Sequence, residues 1–262
     1  MKICGLLGQN ISYSKSPEIH SEYYKHKGYG LRYKIFDLDE KEIGEFINNL
    51  RNSNIIGFNV TIPYKEEIIK YLDTVTYPAN KINAVNTVLV TEDKLVGYNT
   101  DYSGFMKSLK VNSLNIGNGK ALIIGAGGAA KAVYHGLIDL NCKDVEILTR
   151  SVNKAAVYFE DHCKIFSYDS IKDLSKYNII INCTPLGSKN HINILPIEVD
   201  TIKANCIAYD LVYNPTQTRF MYEAKKRGAI VLNGKAMLKF QAYEAADIWA
   251  DYLYGGYKHE TY

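Results

Sequence analysis

The segment that most constrains the fold is Gly125-Ala126-Gly127-Gly128-Ala129-Ala130. It follows the apolar run Ala121-Leu122-Ile123-Ile124 and opens a helical stretch. It matches G-x-G-x-x-G/A with Ala at the last place. In such a turn the first Gly makes the tight bend and the second admits a pyrophosphate close to the backbone. The small last residue lets the helix lie on the strand. The first N–H groups of the helix then meet the phosphate. A glycine turn alone also has packing reasons. The strand before it, the helix after it and a second strand about 20 residues on favour a dinucleotide site.

The end of that second strand is where an Asp or Glu would hold the ribose 2'-hydroxyl of NAD. This chain reads Leu148-Thr149-Arg150-Ser151 there, with Lys154 a helical turn on. An acid would repel a 2'-phosphate, whereas a guanidinium can hold one through two parallel hydrogen bonds. The alternative is a solvated Arg at a strand end. Arginine is scarce, five in 262 residues, so its place here carries weight, and the expected cofactor is NADP.

From Lys120 onward short apolar strands alternate with helices: Ala121 to Ile124, Val145 to Thr149, Ile179 to Asn182, Cys206 to Leu211 and Ile230 to Leu232. That is the pattern of a doubly wound parallel sheet. The first hundred residues also alternate strand and helix. Strands are expected at Ile3 to Leu7, Arg32 to Leu38 and Ile55 to Thr61, and helices from Pro17 to His26, Lys41 to Leu50 and Lys65 to Leu72. Val85 to Val90 and Lys94 to Tyr98 flank a hairpin signal at Thr91-Glu92-Asp93. The Gly/Asn-rich stretch from Asn112 to Gly119 is the approach to a second domain. The expected fold class is therefore α/β in two domains. Residues 1–101 and 236–262 form an α/β substrate domain. Residues 102–235 form the dinucleotide domain, and a long C-terminal helix, Ala236 to Tyr254, packs back on the first.

Bulk properties exclude other classes. The chain carries a net charge of +3 with mixed signs and no basic run, which argues against nucleic acid. No apolar run approaches the roughly 20 residues needed to span a bilayer. Five widely spaced cysteines, none in C-x-x-C, and no H-x-x-x-H pair point away from disulfides and metal and towards a reducing cytoplasm.

Polar clusters lie where the first strands end. Asn59-Val60-Thr61-Ile62-Pro63-Tyr64-Lys65 places Lys65 at an expected helix start, the unfavourable end for a cation, so Lys65 is a candidate acid/base group; taken by itself, a solvated lysine is the stronger reading. Asp101 leaves the hairpin, where capping the next helix would be its ordinary role. Asn86 stands at a strand mouth, where a turn-forming Asn is the ordinary reading. Ser12 to Pro17 is a hydroxyl cluster before a helix, explicable as N-caps and also suited to a carboxylate.

Together these clusters resemble the shikimate dehydrogenase family over essentially the whole chain. The matching segments are Ser14-Lys15-Ser16-Pro17 with His20, Asn59 to Lys65, Ala84 to Thr87 and Asn99 to Asp101. They continue through the glycine turn, Thr149 to Lys154, Asn182 to Gly187, Asp210 to Pro215 and Gly234 to Gln241. Asn10 and Tyr13 stand where the family usually has Pro and His, and Thr149 replaces the usual Asn beside Arg150. The resemblance implies NADPH-dependent reduction of 3-dehydroshikimate to shikimate, in chorismate and aromatic amino-acid biosynthesis. It implies Lys65 and Asp101 as the proton-transfer pair, and Ser14, Ser16 and Tyr213 on the carboxylate. Thr61, Asn86, Asp101 and Gln241 would hold the ring hydroxyls. Gly125, Ala126, Gly127, Gly128, Ala129, Thr149, Arg150, Ser151, Lys154, Thr184, Leu211, Gly234 and Met237 would bind the cofactor. The expected partner is a small molecule, with no nucleic acid, membrane or metal, and the chain is a monomer or homodimer. Rival readings are an NAD-linked quinate/shikimate dehydrogenase and a non-catalytic NADP-binding regulator. A glutamyl-tRNA reductase-like enzyme is disfavoured, because its thioester chemistry needs an exposed Cys and Cys4 sits in an expected buried strand.

Overall fold

The computed structural model describes residues 1–142, 144–159 and 161–255. The last seven residues of the expected 236–262 segment, 256–262, lie outside the described residues. The chain divides into two compact units. One is Met1–Gly104 with the segment that begins at Lys239; the other is Phe105–Leu238.

Apolar segments become strands buried on both faces at the centre of the sheet, as a parallel sheet under helices requires, and more exposed strands at its edges. In the second unit these are β7 (Lys120–Ile124), β8 (Asp144–Leu148), β9 (Lys164–Phe166), β10 (Ile179–Asn182), β11 (Ile207–Asp210) and β12 (Ile230–Asn233). All pair in parallel, in the order β12-β11-β10-β7-β8-β9. The order reverses between β7 and β10, the switch point at which doubly wound sheets bind ligands. Helices α5 (Gly128–Asp139), α6 (Val152–Phe159) and α7 (Arg219–Lys226) cover the faces. Alternation along β7 decides which core each residue joins. Ala121 and Ile123 pack with Val133 and Leu137 of α5, and Leu122 and Ile124 pack with Phe220 of α7.

The first unit holds β1 (Lys2–Gly8), α1 (Ser16–Lys27), β2 (Leu31–Asp37), α2 (Glu40–Asn49), β3 (Ile55–Val60), β4 (Thr74–Val75), α3 (Ala79–Ile82), β5 (Thr87–Val90) and β6 (Leu95–Tyr98). Its sheet, β2-β1-β3-β5-β6-β4, is mixed. β1 runs parallel to β2 and β3, while the β5–β6 hairpin is antiparallel to β3. Thr91 closes the hairpin by donating its N–H to the Lys94 carbonyl at 2.9 Å. The unit boundaries fall inside α4 (Thr100–Val111) and α8 (Lys235–Tyr254). Beyond Lys239, α8 sets Ala245, Ala246 and Trp249 into the same core as Cys4, Leu6 and Tyr24. The Trp249 indole N–H donates to the Val88 carbonyl at 3.0 Å, so the buried ring keeps its polar end satisfied.

One expected element is absent. Lys65 to Leu72 is not an α-helix: a turn through Lys65 leads into a 3-10 helix at Glu67–Tyr71. The Lys65 carbonyl, which an α-helix would use four residues on, instead accepts the Val85 N–H at 2.8 Å. Lys65 is therefore held by a crossing to the strand mouth, and the helix-dipole argument for it falls.

Candidate active site

In the first unit Lys65 and Asp101 meet. Lys65 Nζ donates to Asp101 Oδ2 at 2.5 Å, and the two side chains are only 17% and 11% exposed. Asp101 is spared the capping role because Asn99 takes it. Asn99 Oδ1 accepts the Tyr102 N–H at 3.2 Å, and Asn99 Nδ2 donates to the Ala84 carbonyl at 2.8 Å. An ion pair withdrawn from water costs desolvation that packing alone does not demand, which marks it as a functional candidate.

The hydroxyl cluster is only partly a cap. Lys15 occupies the N-cap position of α1 without a side-chain bond, and Ser14 Oγ accepts the Ser16 N–H at 3.2 Å. Ser14 donates to Ser16 Oγ at 3.1 Å. Asn86 is more than a turn former. Its Oδ1 accepts the Thr100 N–H at 2.7 Å, and its Nδ2 donates to Thr100 Oγ1 at 3.0 Å. Gln241, on α8, is reached from Thr100 Oγ1 at 3.5 Å. Thr61 follows β3, half-buried, with its N–H on the Leu7 carbonyl.

Beneath these side chains lies a fully buried layer that sequence reasoning left without a role. Tyr33 donates to Asn59 Oδ1 at 2.7 Å, and Asn59 Nδ2 donates to Thr87 Oγ1 at 2.9 Å. His20 stacks on Tyr33, ring centroids 4.0 Å apart. Neither of its ring nitrogens has a hydrogen-bond partner. Burial holds it neutral, its pKa lowered to about 3 against a smaller opposing contribution from Asn59. The repeated Asn-Thr pairs, Asn86-Thr87 and Asn99-Thr100, were the one available signal; Tyr33, among 22 tyrosines, offered none.

The second unit supplies a backbone cradle. Gly125 adopts φ +106, the left-handed region that favours glycine, and donates its N–H to the Leu148 carbonyl at 2.8 Å. Gly127 caps α5 in extended backbone, with nothing within 4 Å of where a side chain would start. Gly128 and Ala129 open the helix, whose first N–H groups have no intrahelical acceptor. Gly234 lies so close to Leu211 that a Cβ would stand 2.0 Å from its carbonyl oxygen. Thr149 is buried after β8, while Arg150, Ser151 and Lys154 are exposed. Ala126 and Tyr213 are half-buried, and Met237 packs into the core beside Ile123 and Leu137.

Thr184 is set by Asn182, whose Oδ1 accepts both its N–H at 3.0 Å and its hydroxyl at 2.6 Å. Asn182 Nδ2 donates to Asp210 Oδ1 at 2.9 Å, and Asp210 Oδ2 accepts Thr218 Oγ1 at 2.6 Å. Burial raises the Asp210 pKa to about 6, against the pull of Thr218, Val212 and Asn182. Asn182 and Asp210 thus tie together the loops after β10 and β11. Cys4 is fully buried, and burial pushes its thiol pKa up, so it offers no exposed nucleophile. No helix among the described residues is long and apolar enough to cross a membrane.

Two family models match this chain: the shikimate dehydrogenase substrate binding domain over residues 6–88 and shikimate / quinate 5-dehydrogenase over residues 108–201. The chain belongs to the shikimate dehydrogenase family. Over 249 residues it is 51% identical to a shikimate dehydrogenase (NADP(+)) of Clostridium botulinum, covering 95% of this chain and 96% of that protein. Among solved structures it resembles a chorismate mutase/shikimate 5-dehydrogenase fusion protein from Clostridium acetobutylicum. That match has a TM-score of 0.88 at 35% identity, over 96% of this chain and 92% of the other. It also resembles the shikimate 5-dehydrogenase of Thermus thermophilus in complex with NADP(H) and shikimate. There the TM-score is 0.87 at 31% identity, over 95% of this chain and 93% of the other.

Proposed function

We propose that this protein catalyses the reversible NADPH-dependent reduction of 3-dehydroshikimate to shikimate, in aromatic amino-acid biosynthesis. The observation that carries the reading is the Lys65–Asp101 pair, largely withdrawn from water in the same unit as Ser14, Ser16, Asn86 and Gln241. The hydride to ring C3 would come from NADPH when it is bound. Lys65 Nζ gives a proton to the oxygen that becomes the hydroxyl, and in the reverse direction takes it back. Asp101 orients the ammonium and accepts a hydrogen bond from a ring hydroxyl. Ser14 and Ser16 hold the carboxylate, and Thr61, Asn86 and Gln241 hold the ring oxygens. The roles of Tyr213 on the carboxylate and Met237 beside the nicotinamide rest on the resemblance alone.

The second unit's residues fit a dinucleotide. Gly127 leaves open space before the N-terminus of α5, where a pyrophosphate meets Gly125, Ala126, Gly127, Gly128 and Ala129. Thr149, Arg150, Ser151 and Lys154 would hold the 2'-phosphate, and Thr184, Leu211 and Gly234 would border the rest. Arg150, with no acid at the strand tip, favours NADP over the NAD-linked quinate enzyme. A sensor without chemistry would have no use for Lys65 and Asp101. The protein works in the cytoplasm, as a monomer or homodimer.

Lys65→Ala tests the reading. Its turnover with shikimate should fall about a hundred- to ten-thousand-fold with little change in KM. Near-normal turnover in that variant would sink the assignment.

A further inference from the structure

Thr100 belongs to the N-T-D segment, yet neither the proton transfer nor the substrate contacts above use it. It is 1% exposed and sits one residue before Asp101. Its hydroxyl lies at the centre of a group made of Asn86, Thr87 and Gln241, with Asn59 one bond further out.

The hydrogens in this group can be counted. The Thr100 N–H is a backbone donor, so the oxygen of the Asn86 amide must be the atom that faces it at 2.7 Å. That places Asn86 Nδ2 against Thr100 Oγ1, which accepts from it at 3.0 Å. Tyr33 donates to Asn59 Oδ1, so Asn59 Nδ2 faces Thr87 and donates to its hydroxyl at 2.9 Å. Thr87 then passes its own hydrogen to Asn86 Oδ1 at 3.1 Å, which with the Thr100 N–H fills both lone pairs of that oxygen. The hydrogen of the Thr100 hydroxyl has Asn86 Oδ1 and Thr87 Oγ1 within 3.2 Å and Gln241 Oε1 at 3.5 Å as acceptors. Gln241 faces Thr100 with its amide oxygen. Hydrogen bonds of this buried kind are costly to leave unmade, and loss of this hydroxyl would remove one contact each from Asn86 Nδ2 and Gln241 Oε1.

We propose that Thr100 is a positioning residue of the shikimate site: its N–H and hydroxyl hold the Asn86 amide, and the same hydroxyl reaches Gln241 Oε1, so that both amides are presented to the ring oxygens of the ligand. Those amides present N–H donors, and the ring oxygens act as acceptors towards them. The inference rests on the reading of Asn86 and Gln241 as ligand contacts.

The test is steady-state kinetics of Thr100→Val, Thr100→Ser and the parent enzyme with shikimate and NADP, well below each variant's Tm. Valine keeps the branched shape and removes the hydroxyl, whereas serine keeps the hydroxyl. Thr100→Val should lose about 10- to 100-fold in kcat/KM for shikimate, with the KM for NADP within about 2-fold of the parent. Thr100→Ser should return to within about 3-fold of the parent. If the valine variant does not fold, Thr100→Ala removes the same hydroxyl and carries the same expectation. A hydroxyl-free variant that loses Tm but keeps its kcat/KM for shikimate overturns the inference. So does a serine variant as impaired as valine. A parent enzyme that does not oxidise shikimate would instead overturn the functional reading beneath it.

Discussion

The two units prepare for their ligands by different means. The second presents backbone: a glycine at positive φ, an open helix N-terminus, and Gly234 pressed against the Leu211 carbonyl. The first presents side chains, with Lys65, Asp101, Asn86 and Gln241 set over a buried layer of Tyr33, Asn59, Thr87 and Thr100. A backbone cradle recognises what all dinucleotides share, whereas a side-chain array must be oriented atom by atom to tell one ring from another. Selectivity in the second unit is therefore expected to sit in the few side chains at its rim, chiefly Arg150.

The largest expected effect that bears on this contrast is at the proton-transfer pair. Asp101→Asn, measured by steady-state kinetics with shikimate, should lose at least about a hundred-fold in kcat and leave the KM for NADP nearly unchanged. A loss shared equally between the two ligands would break the division of labour. Arg150→Ala should do the reverse. It should raise the KM for NADP about ten-fold or more, leave the KM for shikimate alone, and narrow the preference for NADP over NAD.

Smaller effects come from pH, and the two units should respond with opposite signs. The His20 pKa falls from 6.5 to about 3 on folding, so the unfolded chain binds the extra proton between those values. Its stability contribution is complete above pH 6.5 and is lost as pH falls below it. The Asp210 pKa rises from 3.8 to about 6, so the native state binds the extra proton and the burial penalty fades as pH falls through 6. Between pH 7 and pH 4, denaturant unfolding should show the parent losing up to about 3 kcal/mol relative to His20→Phe. Over the same range it should gain up to about 3 kcal/mol relative to Asp210→Asn. Gaps that move in the same direction would refute the assignment. Least of all, Gly234→Ala should cost about 1–3 kcal/mol, because the new methyl meets a carbonyl rather than a yielding side chain.

The same contrast explains what could be read in advance. The glycine turn was legible because glycines at fixed spacing stood between an apolar strand and a helical stretch, the two elements that the structure gives it. Lys65 and Asp101 were legible as candidate residues, but the helix start expected at Lys65 was not there: its carbonyl is taken by Val85. Asp101 was open to a capping role that only the structure assigns to Asn99. The buried layer stayed hidden. Thr, Asn and Tyr are common in strands and turns, and their partners stand up to 141 residues apart, as Thr100 and Gln241 do. The mixed order of the first sheet was equally out of reach, since a hairpin signal names its two strands and not the neighbour they join.

The most direct test of the whole account is an absorbance assay at the NADPH band, with shikimate and quinate each offered with NADP and with NAD. Shikimate with NADP should give the highest kcat/KM of the four by at least about ten-fold. Equal or better rates with quinate and NAD, or no reaction in any combination, would contradict it.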